Sequence, residues 1–280
     1  MSVTVINIES YYHDSDCILY CGRAEDILPL VQTESIDLTV TSPPYDNLRT
    51  YNGNSEFDFE KIAVELFRVT KPGGVCVWIV GDQTIDGSET LTSAKQKIFF
   101  REQCNWNIHD TMIYRKKTLT FPETNRYYPA FEYMYILSKG KPKTVNLIAD
   151  KKNNCVGMIR RGHSRQADGR LTRQHGYGKI IKAYGIRQNV WDYGTGWRVT
   201  TRDVEAFEHP AIFPDRLAID HVTSWSALGD TVLDPFAGSG TTLKATKLRG
   251  RFGIGIEINP TYCDLVKRRL ENVQPLFDQG

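Results

Sequence analysis

Residues 230–242, Asp-Thr-Val-Leu-Asp-Pro-Phe-Ala-Gly-Ser-Gly-Thr-Thr, constrain the fold more than any other stretch of the chain. The apolar run through Leu233 reads as a buried strand, and the spacing from Thr241 to about Leu248 predicts a helix. A strand that feeds a helix through a glycine turn is the building unit of a parallel α/β sheet, whose ligands sit at the carboxyl ends of the strands. Glycines at 238 and 240 let the backbone turn tightly and let a ligand come close to the helix N-terminus. A phosphate-binding P-loop is excluded, because no Gly-Lys-Ser/Thr follows. The dinucleotide fingerprint fits poorly, since Leu243 stands where its third glycine belongs. The next strand, Phe252 to Ile256, ends at Glu257, an acid able to accept hydrogen bonds from a ribose diol. Turn and acid together signal a nucleotide-type cofactor.

The rest of the chain repeats this alternation. Ile36 to Val40, Val75 to Val80 and Glu132 to Leu137 read as further buried strands. Phe59, Ile62, Ala63 and Leu66 fall at helical spacing, and Lys71-Pro-Gly-Gly74 stops that helix. Asn259-Pro260 is a good helix start, and it places Tyr262, Leu265, Val266 and Leu270 on one face. With 280 residues at 40% hydrophobic and 24% charged, the chain can build one sizeable core. Its longest apolar stretch, Val75 to Val80, is too short to cross a bilayer. The N-terminus shows no secretory pattern, and six cysteines form no Cys-x-x-Cys pair. The expectation is a soluble, reduced, cytoplasmic α/β protein with no membrane association and no metal site.

A second motif, Thr41-Ser-Pro-Pro-Tyr45, closes the Ile36 strand. Consecutive prolines at 43 and 44 stiffen the backbone and remove two N–H donors, which leaves carbonyls to face outward. A carbonyl held there and the Ser42 oxygen can both accept from an exocyclic amino group, and Tyr45 offers a flat face for a base. Taken alone, such a segment is more often a rigid turn. Beside the glycine motif it becomes specific.

Charge is distributed unevenly. Between Lys151 and Val190 there are ten basic residues against one acid, Asp168, so this window is +9 in a chain of net charge +2 and the remainder is −7. The window also holds six glycines and few apolar residues, too few for a core of its own size. Composition alone leaves two readings open: a solvated surface insertion, or a surface for polyanions.

The two motifs resemble those of the amino-group DNA methyltransferases that use S-adenosylmethionine. Thr41 to Tyr45 is similar to the catalytic motif of that family, and Asp234 to Thr242 to its cofactor motif. His209-Pro-Ala-Ile-Phe-Pro214 with Leu217 resembles the segment lining the methionine pocket, and Phe131 to Lys141 the strand before the recognition region. The order, catalytic motif, basic region, cofactor motif, matches the β arrangement of the family. One position departs: where the family often has Gly-Asp, with an acid that helps hold the adenine, this chain has Gly22-Arg23-Ala-Glu25-Asp26. Either Glu25 or Asp26 substitutes, or the contact is lost.

The resemblance implies an α/β, Rossmann-like methyltransferase sheet over residues 1–143 and 206–280, with an inserted basic target-recognition region at 144–205. It implies S-adenosylmethionine as cofactor, held by Asp234, Phe236, Gly238, Gly240, Thr241, Glu257, His209 and Pro210. Ser42, Pro43, Pro44 and Tyr45 become the catalytic group, and Arg160, Arg161, Arg165, Arg170 and Arg173 the DNA-binding group. In the implied reaction a flipped base offers its amino nitrogen to the Pro43 carbonyl and Ser42 while Tyr45 stacks on the ring. Methyl transfer is then direct, without a covalent enzyme intermediate. Ring-carbon methylation, which needs Pro-Cys, is excluded because none of the twelve prolines precedes a cysteine. Ser-Pro-Pro-Tyr occurs more with N4-cytosine members and Asp-Pro-Pro-Tyr with N6-adenine members, so the resemblance leans to cytosine N4, with adenine N6 as the alternative. RNA and protein-glutamine methyltransferases usually carry the motifs in the reverse order. A decayed fold that only binds DNA is a more distant alternative, against which the intact Ser42, Tyr45, Phe236 and Glu257 stand. The expected partner is double-stranded DNA; a homodimer and a separately acting cognate restriction endonuclease are further partners the resemblance allows.

Overall fold

The computed structural model describes residues 8–44, 57–117 and 125–273. Its chain divides into two compact units, Met1–Asn146 with Asn189–Gly280, and Leu147–Gln188. The second unit is narrower than 144–205 and leaves residues 144–146 and 189–205 with the larger one.

The larger unit is built on a nine-stranded sheet. In chain order its strands are β1 (Tyr12–His13), β2 (Cys17–Cys21), β3 (Ile36–Thr41), β4 (Thr70–Val80), β5 (Asn107–Lys116), β6 (Phe131–Ser138), β7 (Val190–Tyr193), β8 (Thr231–Asp234) and β9 (Phe252–Glu257). They lie side by side as β1-β2-β9-β8-β3-β4-β6-β5-β7. From β2 to β4 every pair is parallel, while β6 runs against both β4 and β5. Strands β3 and β8 are buried along their whole length, as strands covered on both faces must be.

Helices α1 (Ala24–Ile27), α2 (Phe59–Val69) and α3 (Thr92–Glu102) belong to one layer, and α4 (Asp215–Trp225), α5 (Thr241–Leu248) and α6 (Pro260–Glu271) to the other. Strand β2 shows the consequence of the two-residue period: Ile18 and Tyr20 join the core with Ile62 and Leu66 of α2, whereas Cys17 and Leu19 join Leu243, Val266 and Leu270 of α5 and α6. Aromatic rings fill the first core. Phe59 meets Trp78, Phe99 and Phe100 edge-on at 5.2–5.9 Å, and the Trp78 indole N–H donates to Gln96 at 2.8 Å. Each such buried ring contributes about 1.5–3 kcal/mol through apolar area alone.

The helix expected before Lys71-Pro-Gly-Gly74 ends at Val69, and those four residues open β4 instead of forming a separate turn. The extra length is absorbed by a register shift between Ile36 and Leu38 on the neighbouring β3. Asn259 caps α6 as its sequence predicts, its side chain accepting from Thr261 N–H at 2.9 Å. The Tyr11 hydroxyl, just before β1, donates to Asp264 of α6 at 2.6 Å. The aromatic segment after the basic window is part of the sheet: Trp191 stacks on His221 of α4 at 4.7 Å, and the Tyr193 hydroxyl donates to Asp220 at 2.8 Å.

Unit Leu147–Gln188 contains two short ladders, His163–Arg165 with Leu171–Arg173 and Lys151–Lys152 with Tyr184–Gly185. The first turns at Asp168-Gly169, where Gly169 has φ +84° and Asp168 accepts from Arg170 N–H at 3.0 Å. None of its residues is buried.

Candidate functional site

Both motifs of the sequence end at the carboxyl edge of neighbouring strands, and side chains tie them together. The buried Thr41 hydroxyl at the end of β3 donates to Asp234 Oδ1 at 2.7 Å. The same oxygen accepts from Phe236 N–H at 3.1 Å, and the Thr242 hydroxyl donates to the Val40 carbonyl at 3.1 Å. Burial pushes the Asp234 carboxyl up to about 6, against the opposing pull of the hydrogen bonds from Thr41 and Phe236. Asp234 lines neither cavity of the site. It is a tie between the two loops.

A cleft of about 630 Å³ opens over that tie. Ser42, Pro43 and Pro44 lie along it, with residues 209–213 and 236–239, Thr241 and Glu257. Tyr45 lies outside the described residues. A smaller cavity of about 50 Å³ adjoins Gly22, Arg23 and Glu25 and shares Pro44, Phe236 and Glu257 with the cleft. Phe236 therefore stands between the two, its ring edge-on to Phe57 at 5.2 Å.

The glycine turn has the geometry its sequence requires. Gly238 and Gly240 hold φ +53° and +78°, and Gly240 precedes α5 directly. A Cβ at Gly238 would stand 3.2 Å from the His209 ring, and one at Gly240 would press into Val266 at 2.9 Å. Glu257 holds the turn from the next strand: one carboxylate oxygen accepts from Gly238 N–H at 2.8 Å and the other from Asn259 N–H at 2.9 Å. Burial raises the Glu257 carboxyl to about 7, although those backbone bonds pull it down. Pro210 is exposed at the cleft, while His209 is buried with its ring edge-on to Tyr262 at 4.4 Å.

Of the acids after Gly22, Glu25 faces the small cavity and Asp26 is exposed outside it. Glu25 accepts from Arg23 at 2.9 Å and from Asp58 N–H at 3.0 Å.

Sequence reasoning missed a buried ion cluster behind the turn. Arg269 of α6, 2% exposed, pairs with Asp203 at 2.6 Å and donates to the Ser239 carbonyl inside the glycine turn. Lys244 of α5 reaches Asp215 at 3.0 Å and Asp203 at 3.6 Å. Burial raises the Asp203 carboxyl, but the hydrogen bond and charge of Arg269 outweigh it and hold the group low. The cluster fixes residues 203–215, and with them His209, against the turn. Its one trace in the sequence is a pair of acids flanking His209-Pro210.

The five arginines expected on DNA, Arg160, Arg161, Arg165, Arg170 and Arg173, all lie exposed in unit Leu147–Gln188. Arg165 and Arg173 share one face of the hairpin with His163, because 163 pairs with 173 and 165 with 171. Arg170 is engaged by Asp168 at 2.6 Å, and the Arg173 guanidinium stacks over the Tyr177 ring at 4.7 Å.

A parallel sheet with a glycine turn after one strand, an acid ending the next and a Ser-Pro-Pro turn beside them defines a methyltransferase of the S-adenosylmethionine class. Residues 36–268 match the family model for the N6/N4 DNA methylases, and the chain belongs to that family. The orphan methyltransferase M.BamHII of Bacillus amyloliquefaciens is 54% identical over 240 residues, covering 85% of this chain and 89% of its own. Among solved structures, TTHA0409 of Thermus thermophilus complexed with S-adenosyl-L-methionine is 25% identical with a TM-score of 0.58, over 90% of this chain and 93% of that one. The cytosine-N4-specific PvuII DNA methyltransferase shares the fold at a TM-score of 0.67 and 18% identity, over 96% and 92%.

The protein is thus a DNA methyltransferase of the amino-methylating family, and its cofactor is S-adenosylmethionine. The turn fits that group: side chains are excluded where it must approach, at Gly238, and a buried acid ends the next strand. Among the described residues no helix is long and apolar enough to cross a membrane.

Proposed function

We propose that this enzyme transfers a methyl group to the exocyclic amino nitrogen of a flipped base in double-stranded DNA, and that the base is cytosine. The observation that carries this reading is the shared cleft: Ser42 and Pro43 stand along the same 630 Å³ space as the glycine turn and Glu257. When bound, the cofactor supplies an electrophilic methyl group on a sulfonium. Phe236 and Glu25 would hold its adenine end, Glu257 would accept from its ribose hydroxyls, and the 209–213 segment would flank its methionine. The Pro43 carbonyl and Ser42 oxygen accept the two amino N–H bonds of the base. They thereby localise a lone pair that is otherwise conjugated into the ring, which is catalysis by positioning. Cytosine is favoured because the motif opens with serine in place of an acid.

In this reading 147–188 is the recognition unit, its exposed arginines neutralising phosphates and reading base edges. Incubation of unmethylated plasmid with labelled cofactor, followed by mass spectrometry of the nucleosides, tests the reading. N4-methylcytosine is the expected product. N6-methyladenine would move the target base, and unlabelled DNA would end the proposal.

A further inference from the structure

Strands β5 and β6 place an ion pair in the cleft that neither motif accounts for. Tyr114 and Lys116 of β5 and Glu132 of β6 line the same space as Ser42 and Pro43. Register explains the clustering. Tyr114 pairs with Glu132 across the two strands, and Lys116 lies two residues further along, so all three share one face. Lys116 Nζ meets Glu132 Oε1 at 2.5 Å, with 29% and 16% of the two side chains exposed. Tyr114 is 2% exposed and packs edge-on against Tyr193 at 5.9 Å, a fixed floor beneath the pair.

An ammonium carries three N–H donors. Glu132 takes one, and among the described residues no other partner stands on Lys116 Nζ, which leaves two donors for a guest in the cleft. The pair is neutral overall, so it is a poor seat for a phosphate and a good local source of donors. Consider the base edge left over once Ser42 and Pro43 hold the amino group. Cytosine presents N3 and O2 next to that group, two acceptors side by side. Adenine presents N1 and then C2–H, which offers an ammonium nothing. We propose that Lys116, held in place by Glu132, reads the acceptor edge of the flipped base and gives the pocket its preference for cytosine over adenine. This assignment rests on the reading of the cleft as the site of amino methylation.

The test uses the full chain. Once sequencing of methylated plasmid has given the recognition site, two synthetic duplexes are compared, one with cytosine and one with adenine at the target position. The wild type prefers the cytosine duplex. Lys116→Met lowers kcat/KM on cytosine by about 10- to 100-fold, the range for losing a paired base contact, and leaves the small adenine rate in place, so the discrimination collapses. Glu132→Gln falls between the two, because the lysine keeps its charge and loses its anchor. Cofactor affinity by calorimetry and overall duplex affinity stay within about twofold of wild type in both variants. Should Lys116→Met fail to fold, Lys116→Arg keeps the cation with a different fork of donors and shifts the cytosine-to-adenine ratio instead. An unchanged ratio in a folded Lys116→Met enzyme overturns the inference while the amino-methyltransferase reading stands. A wild type that methylates the adenine duplex better also overturns it. A wild type that methylates neither base on plasmid or duplex removes the reading on which it rests.

Discussion

The two units of this chain are held together by different means. In the larger, the central strands β3 and β8 are buried on both faces, and side chains such as Trp78, Phe100 and Leu66 are wholly removed from water. In 147–188 no residue is buried, apolar side chains such as Met158, Ile159 and Leu171 are exposed, and order comes from ladders of two or three residues and an Asp168-Gly169 turn. Fixing a backbone costs roughly 1–2 kcal/mol per residue, and a segment that buries so little recovers little of that by itself. The cleft and its motifs therefore sit on the packed sheet, and the excess of basic charge sits on the unit that buries none of its residues.

Four experiments break or sharpen this contrast. The largest effect is expected at Gly238→Val. A side chain there is forced into the left-handed region, at roughly 1–2 kcal/mol, and meets His209. Cofactor binding measured by calorimetry should be lost, with Phe236→Ala following as a milder version. Unchanged affinity in both would detach the turn from the cofactor. Ser42→Ala comes next. One acceptor of the amino group disappears, so turnover should fall by about 100-fold while cofactor and duplex affinities hold. A matching loss of DNA affinity would make the Ser-Pro-Pro turn structural.

Charge reversal of Arg160, Arg161 and Arg165 together probes the exposed unit. Each neutralised phosphate releases about 0.9 counterions from a duplex, so the salt dependence of DNA binding should flatten and binding weaken. The thermal midpoint and cofactor affinity should not move, because none of the three is buried. Retention of both salt slope and activity would place the DNA surface elsewhere.

The smallest effect is a pH dependence. Glu257 is raised to about 7 and Asp234 to about 6, so the folded state prefers both carboxyls protonated. That preference contributes fully below about pH 4, where unfolded carboxyls also hold their protons. It is lost as pH rises through 6 and 7, and thermal stability should decline across that window. Cofactor affinity should run the other way and climb a few-fold through about pH 7, because an ionised Glu257 accepts ribose hydroxyls better. Glu257→Gln should flatten the affinity curve and leave the stability curve only the Asp234 decline near pH 6; a wild type whose affinity ignores pH would show that the ribose does not meet this acid.

The sheet was legible wherever its strands are short apolar runs between turn residues, as at Ile36, Val75 and Phe252. It was not legible at β5, whose Asn107-Ile-His-Asp-Thr-Met alternation is half exposed and lacks an apolar run. Helix α3 escaped for a similar reason: it is polar around most of its circumference and starts after Leu91, held at φ +60°, without a capping side chain. At the site, the residues that belong to a local motif could be found from spacing. Those that act across the fold could not. Arg269 reads as one more basic residue at the end of an amphipathic helix, and it becomes a buried anchor only when Asp203, 66 positions away, folds against it. Lys116 and Glu132 likewise meet only through the register of β5 on β6.

The bond from Thr41 to Asp234 joins residues 193 positions apart in the chain yet on adjoining strands. Their order along the polypeptide is thus a matter of where the chain is cut, not of how the site works. Tyr11 and Asp264 touch, which brings the first and last elements of the sheet unit within reach of a short covalent linker. New termini could then be opened at the Asp168-Gly169 turn. Such a rearranged polypeptide would carry the glycine turn ahead of Ser-Pro-Pro and still assemble the same neighbouring strand ends. Sequences that present these motifs in opposite orders can therefore share one active site.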